Sequence, residues 1–319
     1  MSKHVLITGG AGFIGSSLGE QLIKDGYQVT AVDNFDAFYD RSLKEKNIEW
    51  LMDQPHFKLL EIDILELNKL KSSIRRPVDI IVHIAAKAGV HASIKDPINT
   101  QQVNVIGTQN MLELAKSLEV KQFVFASSSS VYGVNPNVPW KEDDTLLLPI
   151  SPYASSKLSC EMLGHVYSSL YNLRFISLRF FTVYGPRQRP DLAIYKFARM
   201  VVEGEEITQY GDGSTKRDYT YIDDILNGIR GAMKYDKSKY EVINLGNNRT
   251  VSLKEMISTI SEVFGKSARI KVMPMQPGDV EVTFADVNKA KRLLGYEAKT
   301  SFKEGITFFR DWYLKNRTI

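Results

Sequence analysis

The sequence has a single cysteine, Cys160, in 319 residues. One thiol excludes an intrachain disulfide and a multi-cysteine zinc site. Its setting in a helical stretch predicts a buried, inert side chain. Long apolar runs are also missing, and none could span a bilayer. The apolar amino terminus, from Met1 to Gly15, is broken by Gly9, Gly10, Gly12 and Gly15, and it lacks the basic start and cleavage site of a signal peptide. Charge of one sign is scarce as well: 41 Lys and Arg stand against 37 Asp and Glu, a net charge of +4. These charges are interleaved, with no stripe that would track nucleic acid. The expectation is a cytoplasmic protein with neither a nucleic-acid nor a membrane partner. A content of 43% hydrophobic and 24% charged residues is that of an ordinary globular chain, long enough for two lobes.

The first half alternates short β-branched apolar runs with longer helical patterns. Strands are expected at His4–Thr8, Gln28–Asp33, 57–62, 79–84 and 122–126, and helices at Phe13–Lys24 and 100–118. Strands apolar on both faces and separated by helices imply a parallel sheet covered on both sides, and right-handed crossovers make it doubly wound. After Tyr184 the rhythm changes, with Gly185, Pro186 and Pro190 marking a break. The fold class expected is α/β, a doubly wound Rossmann sheet with a smaller mixed α/β lobe. Residues 1–180, with return segments around 219–246, would form the dinucleotide-binding domain, and residues 181–319 mainly the second lobe.

Gly9, Gly12 and Gly15 follow the first strand and open a helix. Glycine at this spacing lets the chain turn tightly and lets backbone approach a pyrophosphate, which the helix amino terminus then attracts. Asp33 ends the second strand, where a carboxylate can grip ribose hydroxyls and would repel a 2′-phosphate. The cofactor expected is therefore NAD. Asp63 and Ile64 after the third strand, and Ala85 and Ala86 after the fourth, lie at the strand ends where such sheets bind ligands.

Tyr153 and Lys157 are one helical turn apart in Ser-Pro-Tyr-Ala-Ser-Ser-Lys. Tyrosine is a poor base at neutral pH, and an ammonium one turn away, with a cationic nicotinamide nearby, would favour the tyrosinate. The run Ser127, Ser128, Ser129 and Ser130 ends the fifth strand, where a hydroxyl can share a substrate proton with Tyr153.

At these residues, and over essentially its whole length, the chain resembles the extended short-chain dehydrogenase/reductase family of sugar-nucleotide epimerases and dehydratases. The likeness rests on the glycine turn, on His83-Ile-Ala-Ala-Lys-Ala-Gly89, on Ser127-Ser-Ser-Ser-Val-Tyr-Gly133, on Tyr153 with Lys157, and on Arg217-Asp-Tyr-Thr-Tyr-Ile-Asp223. It implies Ser128, Tyr153 and Lys157 as catalytic, with cofactor contacts from Phe13, Ile14, Asn34, Lys87, Asn104 and Phe181. It also implies that Arg217, Gln276 and Asp279 meet the nucleotide, and that the protein is a homodimer.

Dehydratase relatives carry a Thr-Asp-Glu series after the fifth strand, where this chain has Ser128, Ser129 and Ser130. With no acid there to expel water, the resemblance implies epimerisation at C4. Residues 179–191 look like the signature of the UDP-glucuronate 4-epimerase branch, with Thr182 where galactose-type epimerases usually carry asparagine. Oxidising C4 of a glucuronate makes a β-keto acid, so an epimerase must hold the carboxylate out of line with the carbonyl. Ser129, Ser130 and Thr182 could hold it, with Arg189 as a charge partner. His91 and Lys87 depart from the arginine and glutamine of glucuronate-type relatives. The alternatives are a UDP-glucose or UDP-N-acetylglucosamine 4-epimerase, a UDP-glucuronate decarboxylase, and, from another class, a non-catalytic NAD-binding regulator.

Overall fold

The computed structural model describes residues 2–274 and 280–316. Its first half is the expected alternation: β1 (His4–Thr8), α1 (Phe13–Lys24), β2 (Gln28–Asp33), α2 (Arg41–Met52), β3 (Phe57–Glu61), α3 (Leu67–Ser73) and β4 (Ile80–His83). Next come α4 (Val90–Lys95), α5 (Pro97–Gln101), α6 (Gly107–Ser117), β5 (Gln122–Ser128), α7 (Pro152–Tyr171) and β6 (Arg174–Phe180). The rest comprises β7 (Thr182–Tyr184), α8 (Ala193–Glu203), β8 (Glu206–Tyr210), β9 (Lys216–Tyr221), α9 (Ile222–Lys234) and β10 (Tyr240–Leu245). Then follow β11 (Thr250–Ser252), α10 (Leu253–Phe264), β12 (Arg269–Met273), α11 (Asn288–Leu294) and α12 (Phe302–Asn316).

The main sheet has seven strands in the order β10-β6-β5-β4-β1-β2-β3, all parallel. The order reverses between β1 and β4, so the loops after these strands part and leave a crevice at their carboxyl ends. The five residues of β1 are all buried, because helices cover both faces of the sheet. The chain leaves the sheet after β6 and rejoins it through β10, which pairs with β6. Two small sheets, β11-β9-β7 and β12-β8, complete the described part. This second half is more regular than its sequence rhythm suggests.

Two expected elements differ. The helix expected at 100–118 is interrupted: α5 passes through a widened π-helical turn, Gln102–Ile106, before α6 begins. The turn brings the Asn104 amide between α7 and the loop after β4, donating to Ser156 Oγ at 2.9 Å and accepting from Lys87 N at 2.8 Å. A regular helix would point that residue elsewhere. The fifth strand runs to Ser128, and Ser129 and Ser130 belong to a short 3₁₀ turn that Ser128 caps.

His83 closes the end of β4. Thr8 Oγ1 accepts from the amides of Ile84 and Ala85, so its own proton goes to His83 Nδ1, 2.6 Å away. Thr108 donates to the Asn104 carbonyl, which leaves its oxygen to accept from His83 Nε2 at 3.0 Å. This chain of donors fixes a neutral imidazole. Burial, with a smaller push from the Lys157 charge, lowers its pKa from 6.5 to about 3. A group depressed in the fold lends stability above its unfolded pKa and loses it as pH falls. Wild-type unfolding free energy should therefore fall between pH 6.5 and 3 with an extra slope approaching about 1.4 kcal/mol per pH unit that His83→Gln lacks. Equal slopes in urea titrations of the two proteins would refute this.

Candidate active site

The crevice begins at the turn from β1 into α1. Gly9 has φ 69°, and a Cβ there would lie 3.0 Å from the Ala85 amide nitrogen. A Cβ on Gly15 would come within 2.1 Å of the Gly9 carbonyl oxygen. Turn, helix and neighbouring loop thus pack closer than side chains permit. At Gly12 no side chain caps α1, and its first turn has no acidic residue, so the positive helix end suits an anion.

Asp33 sits beside this turn. Its carboxylate accepts from the amides of Ala11 at 3.0 Å and Phe35 at 2.9 Å, and from Lys44 Nζ at 3.1 Å. Lys44 and its neighbour Tyr39 were not singled out from sequence. The signal was present, since Lys44, Ile48 and Leu51 form the buried stripe of α2. A lysine in an apolar stripe is tolerable only beside an anion. Nearby, burial and the Asp33 charge push the Tyr39 phenol up to about 12.

A cavity of about 460 Å³ runs along the crevice. Gly9, Gly12, Phe13, Ile14, Gly15, Asp33 and Asn34 line it, as do Asp63, Ile64, Ala85, Ala86 and Lys87, and also Ser128, Tyr153, Lys157, Phe181, Thr182 and Arg189. A second cleft of about 690 Å³, between α1, α2, α9 and α12, shares Tyr39 and Arg189 but is lined by none of the turn glycines and by none of Ser128, Tyr153 or Lys157. Asn34 Nδ2 donates to Asp63 at 2.7 Å, and Lys87 Nζ to Asp36 at 2.7 Å, which ties the walls of the first cavity together.

Other expected residues stand apart. Asn104 acts through its bonds to Lys87 rather than as cavity wall. Ser129 and Ser130 do not line the cavity, and the Ser130 hydroxyl donates to Ser128 Oγ at 2.9 Å. Arg189 lines the cavity but is forked onto Asp191, at 2.9 and 2.7 Å, so its charge is already partnered. Arg217, on β9, donates to the carbonyls of Lys216 and Glu281 away from the cavity. His91 is exposed on α4. Gln276 and Asp279 lie outside the described residues. Cys160 is buried and free, as its sequence setting suggested.

Three side chains converge at the β5 end of the cavity. Ser151 caps α7 by accepting from Ala154 N, and Pro152 occupies its first turn, which fixes where Tyr153 and Lys157 point. Ser128 Oγ accepts from both the amide and the hydroxyl of Ser130, so its own proton is directed to the Tyr153 oxygen. That donor favours a tyrosinate, as does the Arg189 charge, but burial outweighs both and raises the Tyr153 pKa. Lys157 does not reach the phenol. Its Nζ donates to the Ala126 carbonyl at 2.7 Å and lies 5.9 Å from the Tyr153 ring centre. Burial lowers Lys157 to about 8, opposed by smaller effects of its helix neighbours Cys160 and Glu161. The lysine is thus mostly charged at neutral pH and the tyrosine is neutral. A further positive group in the cavity would be needed to draw the phenol proton away.

Known proteins are similar to this chain over nearly its whole length. The UDP-glucuronate 4-epimerase of Thermodesulfobacterium geofontis (strain OPF15) is 40% identical over 316 residues, covering 98% of this chain and 97% of the relative. The solved UDP-glucuronic acid 4-epimerase from Bacillus cereus, in complex with UDP-glucuronic acid and NAD, superposes with a TM-score of 0.90 at 37% identity, over 98% of this chain and 99% of that one. The UDP-glucose 4-epimerase of Thermotoga maritima, solved with UDP-glucose, gives a TM-score of 0.90 at 32% identity, over 98% and 99%. Residues 6–308 match the family described as GDP-mannose 4,6 dehydratase, and with that match over nearly its whole length the chain belongs to this family of extended short-chain dehydrogenases.

Proposed function

We propose that this chain is an NAD-dependent 4-epimerase of a UDP-sugar, with UDP-glucuronate as substrate and UDP-galacturonate as product. The observation that carries the reading is one cavity bounded by the glycine turn and by Ser128, Tyr153 and Lys157, with the Ser128 hydroxyl rather than a carboxylate where β5 ends. The residues present fit the cofactor: a cradle that a Cβ would fill, an uncapped helix end, and Asp33 with Lys44 for the ribose. NAD, when bound, supplies a hydride acceptor that later returns the hydride.

In this reading Tyr153 takes the O4 proton as C4 is oxidised and gives it back when C4 is reduced on the other face. Ser128 shares that proton, and Lys157 holds positive charge beneath the phenol. Thr182, at the start of β7 and on the cavity wall, would hold the sugar carboxylate, with Arg189 available if it releases Asp191. The cofactor would lie on residues 1–180 with the returning β10, and the sugar nucleotide mainly on 181–319, where Arg217, Gln276 and Asp279 would meet the diphosphate. A cytoplasmic homodimer completes the reading. Support for the dimer comes from α7, which exposes Met162, Val166 and Leu170.

Incubation with UDP-glucuronate and NAD, followed by NMR of the sugar nucleotides, should give UDP-galacturonate without net NADH or carbon dioxide. A UDP-pentose product would make the protein a decarboxylase. Epimerisation of UDP-glucose or its N-acetyl analogue instead would move the substrate while keeping the reaction. Thr182→Val should raise the KM for UDP-glucuronate about tenfold, since a hydrogen bond to a charged group is lost, and should release carbon dioxide during turnover. An unchanged KM with no carbon dioxide would remove Thr182 from the carboxylate site.

A further inference from the structure

Three successive residues of β5 are each fastened to a different turn of α7. The Ala126 carbonyl accepts from Lys157 Nζ at 2.7 Å, the Ser127 hydroxyl donates to Glu161 Oε1 at 2.6 Å, and the Ser128 hydroxyl meets Tyr153. Positions 153, 157 and 161 are spaced by four, so they form one stripe along the helix. Two of these rungs belong to the proposed chemistry. The third, Glu161, has no exposed surface and does not line the cavity.

Its carboxylate is well occupied. Arg179 on β6 donates through Nε at 3.0 Å and Nη2 at 2.8 Å, and Ser177 Oγ donates at 3.2 Å. The Arg179 guanidinium also packs on the Tyr132 ring, 4.8 Å from its centre. A buried ion pair is weak evidence for stability, because apolar side chains of similar volume often serve as well or better. Its placement is more informative. Removing this rung would loosen Ser127, which sits between the residue that binds Lys157 and the residue that binds Tyr153.

We propose that Glu161, held by Arg179, is a positioning residue: it locks the strand bearing Ser128 to the helix bearing Tyr153 and Lys157, and it places a fixed negative charge one turn from the lysine. The proposal rests on the roles given above to Ser128, Tyr153 and Lys157. The titratable and charged groups around Lys157 are Tyr153, Cys160 and Glu161 on its own helix, neutral His83 on β4, and Arg179 on β6, which reaches it through Glu161. Phe125 of β5 offers only a ring face, at 4.8 Å. Glu161 is thus the one full negative charge among these groups. Burial has already lowered the lysine to about 8, so loss of that charge would carry its titration toward neutrality.

The test compares wild type with Glu161→Gln and with Glu161→Gln/Arg179→Gln. The double variant leaves neither charge buried alone, and so keeps the test open if the single variant does not fold. Nitrogen-detected NMR of lysine-labelled protein, assigned with Lys157→Met, reads the Lys157 titration directly. Its midpoint should fall by about half a pH unit in folded Glu161→Gln, roughly a threefold loss of ammonium at a given alkaline pH, and by less in the double variant, where the compensating Arg179 charge is gone as well. The alkaline limb of kcat/KM should move down with it, and Glu161→Asp, which keeps the charge, should move the midpoint less than half as far. The proposal fails if folded Glu161→Gln keeps the wild-type midpoint, if the double variant (where the single one does not fold) shows neither a lower midpoint nor a loss of kcat beyond its folded fraction, or if the pH profile stays fixed while activity merely follows the folded fraction. The titration needs no substrate. A shifted lysine in a protein that epimerises nothing would refute the proposed activity and keep the Glu161 assignment.

Discussion

Tyr153→Phe is expected to lower turnover of the UDP-sugar by about 10³-fold while NAD affinity stays within about twofold. The variant removes one oxygen. The ring that faces Lys157 stays, Ser128 keeps its two bonds from Ser130, and its freed proton faces the cavity rather than the core, so the cavity keeps its shape. What disappears is the group that Ser128 donates to. Because burial holds that phenol above its ordinary pKa, its proton affinity must drop when cofactor and substrate are both seated. Turnover should therefore rise with pH until Lys157, near 8, begins to lose its charge. A Tyr153→Phe protein that retains more than about a tenth of wild-type turnover would remove the tyrosine from the chemistry, because general acid–base catalysis contributes at least about 10²-fold. It would also revive the reading as a non-catalytic NAD-binding regulator.

Gly15→Ala should have the second largest effect, on binding rather than chemistry. The added methyl would fall 2.1 Å from the Gly9 carbonyl oxygen, 2.8 Å from its carbon and 2.9 Å from Gly10 Cα. All three are backbone atoms, so no rotamer change relieves the clash, and turn and helix must separate. We expect destabilisation of about 3 kcal/mol and a loss of NAD affinity of about 100-fold or more, read by thermal unfolding and by fluorescence titration. Gly12→Ala is the graded control. Its methyl would meet the Gly9 oxygen at 3.2 Å and Tyr39 Oη at 3.9 Å, a tight approach that a small shift can relieve. Equal NAD affinity in wild type and Gly15→Ala would mean that the turn does not cradle the pyrophosphate.

The legible and illegible parts of this protein divide along a physical line. The strand that precedes the glycine turn, the spacing of Gly9, Gly12 and Gly15, Asp33 at a strand end, and the one-turn separation of Tyr153 from Lys157 are all local. Periodicity and turn chemistry act over a few residues, so the sequence states them outright. The membership in an extended dehydrogenase family and the parallel sheet follow from that same local record. Contacts between distant segments are set by how helices cross strands, and there the tertiary structure decided. It brought the Arg189 guanidinium to the Ala88 carbonyl, 3.3 Å away. It also widened one helical turn so that Asn104 braces the loop at Lys87. Lys44 reaches Asp33 only because α2 packs against α1 and β3 beside the end of β2, and Glu161 meets Ser127 and Arg179 only because α7 lies across β5 and β6. A buried charge cannot be matched to its partner by spacing alone, since the cost of burying it is met by whichever opposite group the fold brings within hydrogen-bonding distance.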